Sequence, residues 1–348
     1  MTSPSRSCCP SCPETVQPAS GPVQEIRTTD SRITLADRLD HFLARFGVNR
    51  MGHRVEPGLY RLGNPTEDSP VFVSANYTLS FDALRSALSG RDGYILVLDT
   101  LGINVWCAAG KGTFGTDEIV RRIALTGLES VVRHRTLIVP QLGAPGVSAH
   151  EVLRRSRFEV EYGPVRASDL PEYLALGRAT PDMRRVRFPA VDRLVLAPME
   201  LVHAALPTVA GAIVLYLLAG LPAALGAVAA VLAGTVLFPA LLPFIPTRDF
   251  STKGLILGGI VALPFSAAFF VETAASGWAG VLAAFAPLLL MPPVTAYLAL
   301  NFTGSTPFTS RTGVKREIFR YVPFMAGMAV LGAALAAVLG TAHLLGAV

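Results

Sequence analysis

Two rhythms of apolar and polar positions divide this chain. Up to residue 193 the apolar runs are short and interrupted, whereas beyond Leu194 they continue for about 20 residues at a time, the length a bilayer-crossing helix needs. In the first region, short runs rich in β-branched and aromatic residues predict strands over 70–75, 94–99, 103–106, 136–140 and 158–162. Helical spacing predicts helices over 34–46, 80–89, 117–133, 148–156 and 169–177. The first of these helices carries Leu35, Leu39, Phe42, Leu43 and Phe46 at helical spacing, has Thr34 and Asp37 in its first turn, and stops at Gly47. Strands alternating with helices argue for a Rossmann-like α/β domain over 31–193, preceded by a polar, Pro- and Ser-rich tail over 1–30 that is expected to be disordered. Only Leu101 and Gly102 separate the second and third strands. That is too short for a parallel crossover, so this pair is expected to be antiparallel or continuous. Such sheets bind ligands in the loops after their strands, here 74–78, 104–116, 141–147 and 163–166.

The second region, 194–348, predicts an all-α membrane domain of five transmembrane helices near 196–219, 221–245, 254–272, 278–300 and 321–347. Pro207, Pro239, Pro243 and Pro264 fall inside these spans, where membrane helices tolerate proline better than soluble ones do. Basic residues gather in two connections, Arg248 and Lys253 in one and Arg311, Lys315, Arg316 and Arg320 in the other, while the links near Gly220 and Gly277 have none. The positive-inside rule places both basic connections in the cytoplasm. The expected protein is therefore a multi-pass protein of the cytoplasmic (inner) membrane, with membrane lipid around its spans. No secretory signal opens the chain, so its N-terminus and α/β domain are expected in the cytoplasm and its C-terminus outside. Glu200, His203, Glu272 and His343 all lie towards span ends, which favours an anchor over a transporter with a sensory domain.

Charge follows the same division: 24 of the 30 Lys and Arg residues lie at or before Arg193. The basic excess carries no run of cations with interleaved aromatics, and no nucleic-acid partner is expected. Four cysteines occur, Cys8, Cys9 and Cys12 in the tail and Cys107 alone. A cytoplasmic setting argues against structural disulfides. The tail thiols suit capture of soft metal ions such as Hg(II), or are incidental; no second ligand pair supports a zinc site.

The densest unusual segment is 102–116, G-I-N-V-W-C-A-A-G-K-G-T-F-G-T. It fails as a phosphate-binding loop, because Val105 stands where the first glycine should be and Gly112 follows Lys111. It also lacks the G-x-G-x-x-G that opens a dinucleotide-binding helix. No His or Asp adjoins Cys107 in sequence to activate it as a nucleophile, and a buried structural cysteine remains the plain alternative.

Asn104-Val-Trp-Cys-Ala-Ala-Gly-Lys111 resembles, at all eight positions, the signature of the HgcA family, the corrinoid proteins of microbial mercury methylation. Segments 76–82, 140–147, 162–166, 301–305 and 308–310 look similar too, so the resemblance runs over about residues 50–345. The α/β domain also resembles the corrinoid iron–sulfur protein of the acetyl-CoA pathway. The resemblance implies a corrinoid-binding domain holding a cobalamin-type cofactor, with the Cys107 thiolate as lower axial cobalt ligand and catalytic centre. No His here sits in the D-x-H-x-x-G pattern of histidine-ligated corrinoid proteins. A soft thiolate pushes electron density onto a metal, which favours methyl transfer to a soft acceptor such as Hg(II). It further implies cofactor contacts at Asn76, Tyr77, Thr78, Asn104, Val105, Trp106, Ala108, Ala109, Gly110, Lys111, Gln141, Gly143 and Gly146. Trp106 is expected to pack behind the motif, with Ala108, Ala109 and Gly110 allowing close approach to the macrocycle. Expected partners are a separate dicluster [4Fe–4S] ferredoxin-like reductase, which four cysteines cannot build here, and a methyl-folate-dependent methyl donor protein. A membrane-anchored corrinoid methyl carrier of one-carbon metabolism with another acceptor is the alternative function.

Overall fold

A computed structural model describes residues 24–272, 277–305 and 311–345. Cys8, Cys9 and Cys12 lie outside the described residues. The chain forms two units, one of residues up to Val186 without Arg45–Gly47, the other of Arg187–Val348 with Arg45–Gly47.

In the first unit a six-stranded mixed sheet is built from β1 (Arg27–Thr29), β2 (Gly58–Leu62), β3 (Val71–Ala75), β4 (Gly93–Leu98), β5 (Thr136–Val139) and β6 (Glu159–Tyr162). Its order is β1-β2-β4-β3-β5-β6, parallel throughout except for the antiparallel β2–β4 pair. The helices of this unit are α1 (Leu35–Arg45), α2 (Thr78–Ala87), α3 (Val105–Lys111), α4 (Thr116–Thr126), α5 (Leu128–Val131), α6 (Ala149–Ser156) and α7 (Leu170–Leu176). Successive strand residues point to opposite faces. Val71, Val73, Leu96, Leu98, Leu137 and Val139 thus join the core beneath α3, α4 and α6, while Phe72, Ile95 and Val97 join a second core beneath α2 and α7. All eleven residues of β3 and β4 are buried, as central strands covered on both faces must be.

Four sequence expectations change here. Residues 103–106 do not form a strand: Leu101 and Gly102 take left-handed φ values of 59° and 72°, which reverse the chain and start α3 instead. The antiparallel partner of β4 is therefore β2, a segment without a clean alternation signal. The 117–133 helix divides at Gly127, whose φ of 59° ends α4 before α5 begins. Residues 24–30 of the tail expected to be disordered are ordered instead: β1 pairs with β2, and Gln24 donates its side-chain amide to the Pro57 carbonyl.

Helix α1 begins in a reciprocal cap: Asp37 N–H donates to Thr34 Oγ1 (3.2 Å) and Thr34 N–H to Asp37 Oδ2 (2.8 Å). Buried Arg85 ties this cap to α2, donating to Asp37 Oδ2 (2.9 Å), Asp82 Oδ1 (2.6 Å) and the Asp30 carbonyl (3.0 Å). The Thr34 backbone N–H, with its hydroxyl and Arg85, holds the Asp37 carboxyl below the usual carboxylate range against the opposing effect of burial.

The second unit contains α8 (Ala190–Leu194), α9 (Ala197–Leu232), a π-helical turn (Ala233–Leu237), α10 (Phe238–Leu241), α11 (Phe250–Glu272), α12 (Trp278–Asn301) and α13 (Arg311–Leu344). Among the described residues four helices in it, not the five expected, are long and apolar enough to cross a membrane by length and composition. The difference lies in the first, Ala190–Leu241, which runs on where two spans were expected. Its backbone nonetheless breaks at Ala219 (φ −142°) and Gly220 (φ 77°), at the expected link. Small residues bring the helices together: a Cβ on Gly254 would stand 2.5 Å from Ala296 Cα, and one on Gly258 2.6 Å from Pro292 Cα. The basic residues expected in loops are largely helical. Lys253 lies in the first turn of α11, buried, with its ammonium on the carbonyls of Leu242 (2.9 Å) and Ile245. Arg311, Lys315, Arg316 and Arg320 lie in the first turns of α13. Carbonyls left open at a helix end need such donors when water is excluded.

Two outcomes are expected. Arg85→Met should leave the carboxylates of Asp37, Asp82 and Asp30 (Oδ1 3.2 Å from Arg85) without their shared cation and lower stability by about 3–5 kcal/mol, measured by denaturant unfolding of the full chain in detergent. Because Asp37 has a lowered folded pKa, its contribution is fully present above its unfolded value near pH 4 and disappears as pH falls through the folded value. Asp37→Asn should therefore lower the unfolding midpoint by a constant amount between pH 6 and 8 and flatten its acid limb below about pH 4.

Candidate functional site

The parallel strands run in the order β4-β3-β5-β6, so the chain leaves β3 in one direction and continues beyond β4 to β5 on its other side. This makes a topological switch point beside β3, where crevices open at the carboxyl ends of strands. A cleft of about 390 Å³ lies there, lined by Ser74 near the end of β3 and Tyr77 after it, Asn104 and Trp106 after β4, and Pro140 and Leu142 after β5. Its floor and far wall are apolar, including Phe72, Leu79, Ala83, Val165 and Leu170. Those five carried no local sequence signal, since each reads as an ordinary core position.

One side chain organises the approach to Cys107. Asn76 is buried, and its Oδ1 accepts from Thr100 N–H (3.0 Å), Thr100 Oγ1–H (2.9 Å) and Gly102 N–H (3.0 Å). Thr100 Oγ1 is itself 2.7 Å from the Ile103 carbonyl. Glu118 holds the other end of the turn by accepting from Asp99 N–H (3.0 Å). The turn delivers Asn104 to the N-cap of α3, where its Oδ1 accepts from Cys107 N–H (2.9 Å). Gly112, at φ 87°, ends the helix after two turns. Much of the N-V-W-C-A-A-G-K pattern thus has a local cause: a cap, a short helix and a left-handed stop.

The helix sorts the remaining motif residues by face. Val105, Ala108 and Ala109 are buried in the core, so the small side chains serve packing inside the protein and do not present a surface to a ligand. Trp106 does not pack behind the motif either; it is 36% exposed and stands at the cleft. Cys107 is partly exposed and forms no disulfide, and Gly110 and Lys111 are exposed. Gly143 and Gly146 lie in the 3-10 helix Gln141–Gly146, which packs on α3. A Cβ on Gly143 would stand 2.4 Å from the Phe114 ring, and one on Gly146 would stand 2.2 Å from the Phe114 carbonyl oxygen and 3.0 Å from Ala109 Cα. Gln141 accepts from Arg184 (2.9 Å), and Thr78 donates to Asp40 (2.7 Å). The structure therefore brings Tyr77, Asn104, Val105 and Trp106 to the cleft, places Cys107 next to them on α3, and gives Asn76, Thr78, Gln141, Gly143 and Gly146 contacts within the protein. Tyr162 donates to the Val147 carbonyl (2.7 Å), and burial pushes its phenol pKa up.

The donor set is informative. Among the described residues no group of three His, Cys, Asp or Glu could hold a metal ion. Cys107 is partly exposed on α3, so its thiol is reachable from solvent.

Residues 46–173 match the family described as CO dehydrogenase/acetyl-CoA synthase delta subunit. The chain is similar to the acetyl-CoA decarbonylase/synthase complex subunit gamma of Methanopyrus kandleri, 35% identical over 127 residues, which is 36% of this chain and 27% of that protein. It is similar to the same subunit of Methanothermobacter thermautotrophicus, 33% identical over 127 residues with the same shares, and of Archaeoglobus fulgidus, 37% identical over 93 residues, 26% of this chain and 20% of that one. The chain thus spans about a quarter of the length of the curated relatives it matches. The expected relation of the α/β domain to proteins of acetyl-CoA chemistry is borne out.

Gly146→Ala should push the 3-10 helix off α3, because the new methyl meets backbone and not a flexible side chain. A loss of about 1–3 kcal/mol is expected in unfolding of the full chain, with a changed rate of Cys107 labelling by a maleimide.

Proposed function

We propose that this chain is a membrane-embedded corrinoid protein that transfers methyl groups, and that the Cys107 thiolate would hold the cofactor's cobalt. The observation that carries this reading is the placement of Cys107: a partly exposed, free thiol on α3, next to the cleft at the sheet's switch point. When bound, a corrinoid supplies a cobalt centre that accepts a methyl group and yields it to an acceptor. This chain's part is to hold the thiolate. Asn104 fixes the Cys107 backbone, Asn76 fixes the turn before it, and the glycines of the 3-10 helix let α3 seat against the core. Trp106 offers an aromatic wall beside the thiol, and the cleft has room for part of a cofactor.

The complete match of residues 104–111 to the mercury-methylation signature supports Hg(II) as the acceptor, a soft ion suited to a methyl group released under thiolate donation. A second reading, a methyl carrier of one-carbon metabolism, is favoured by the relatives' names, which are those of acetyl-CoA decarbonylase/synthase subunits. Both readings need protein partners: a [4Fe–4S] reductase of ferredoxin type and a methyl-folate-dependent donor. The relatives' names as subunits of a complex support such assembly.

The four apolar helices are long enough to span a membrane. The 52-residue stretch Ala190–Leu241, broken at Gly220, measures about 78 Å at an α-helical rise, more than twice the bilayer core, so we read it as two crossings and five in all. The basic first turns of α13 favour the cytoplasmic side for that end, with the C-terminus outside.

Purified protein should show a corrinoid absorption spectrum. Cys107→Ala should lower methylmercury formation by more than the roughly 10–100-fold that loss of an outer-shell partner costs, with the fold retained. Cys107→His should keep some cofactor, with a shifted spectrum and little activity. Wild-type rates and unchanged spectra in both variants would return Cys107 to a structural role. Cofactor binding without mercury turnover would favour the one-carbon reading.

A further inference from the structure

Helix α1 is amphipathic in reverse. Its polar residues face the α/β unit: Asp37 meets Arg85 (2.9 Å), Asp40 meets His53 (2.7 Å) and Thr78 (2.7 Å), and His41 meets Asp82 (2.7 Å). These contacts turn the apolar stripe away from the unit, leaving Leu35 85% and Leu39 58% exposed. Val48 and Met51, just beyond the helix, are about half exposed as well. Charge is sorted in the same sense. Both carboxylates of α1 are engaged on the inner side, and the exposed charged side chains of residues 31–44 and 48–55 are Arg32, Arg38, Arg50 and Arg54, with the exposed acids Asp30 and Glu56 only at the two ends of this stretch.

We propose that this face of α1 and the segment after it lies on an anionic membrane surface, its leucines entering the headgroup boundary and its arginines pairing with lipid phosphates. Apolar residues flanked by arginine are what an interfacial helix presents to a bilayer. The positive face complements the charge of anionic lipid and offers nothing to a second copy of itself. The chain's own apolar helices keep a bilayer at high effective concentration, so a weak surface contact is enough. The proposal rests on the membrane embedding of those helices and not on the cofactor reading.

Hydrogen exchange on the full chain, reconstituted in phosphatidylcholine vesicles with and without phosphatidylglycerol, tests this. Exchange of the 35–45 amides should slow several-fold with phosphatidylglycerol. Leu35→Glu with Leu39→Glu should remove that protection while exchange in β3 and β4 stays unchanged, which shows the fold intact. High salt should weaken the protection. Equal exchange in both vesicles, or protection that grows with protein-to-lipid ratio as a second copy would produce, overturns the proposal. Failure of the protein to resist carbonate extraction would overturn the embedding on which it rests, whereas resistance with unprotected α1 amides would sink the surface contact alone.

Discussion

The carboxamide of Asn76 is the contact on which the site depends. Its oxygen takes three hydrogen bonds from the turn after β4, two of them from backbone N–H groups that would otherwise be left without a partner. A buried donor without an acceptor costs about 1–3 kcal/mol, so the turn has little freedom to relax. The turn in turn sets where Asn104 stands, and Asn104 sets the first turn of α3 and the place of Cys107. A residue at the end of one strand thereby positions a thiol reached through the next strand and its loop.

The packing on the other side of α3 completes that constraint. The 3-10 helix meets the α3 backbone at Ala109 through Gly146, and Ala108 is buried beside it, which leaves the opposite side of the helix, with Trp106, Cys107 and Lys111, turned outward. A conformation held by close-packed backbone and satisfied hydrogen bonds is suited to keep a metal ligand in one place. In the second unit the same economy appears as Gly254 and Gly258 of α11 packed against α12, and as Arg193 and Lys253 donating to carbonyls where the helices turn.

The α1 helix shows the opposite arrangement. Polar pairs, not apolar burial, hold it to the sheet unit, with Arg85 as the shared cation. Apolar periodicity alone would have assigned its leucine stripe to a core. Charged partners on α2 and on the segment that contains His53 decided otherwise.

The sequence by itself determined the division into an α/β region and an apolar helical region, the strands β3, β4, β5 and β6, and Cys107 as the residue of interest. Those features are local: runs of β-branched residues, twenty-residue apolar stretches and a contiguous eight-residue motif. It did not determine the short strands β1 and β2, whose hydrogen bonds are made with distant partners, or the helix at 105–111, where two left-handed residues overrode an apolar run that reads as a strand. Nor did it separate the motif residues by role. Whether an alanine faces a ligand or the core, and whether a glycine binds or merely lets a neighbour in, depends on Phe114, Ala109 and Gly146 meeting across 30 or more residues of chain. Only the tertiary structure holds those distances, because they are set by packing between elements and not by the preferences of any one of them.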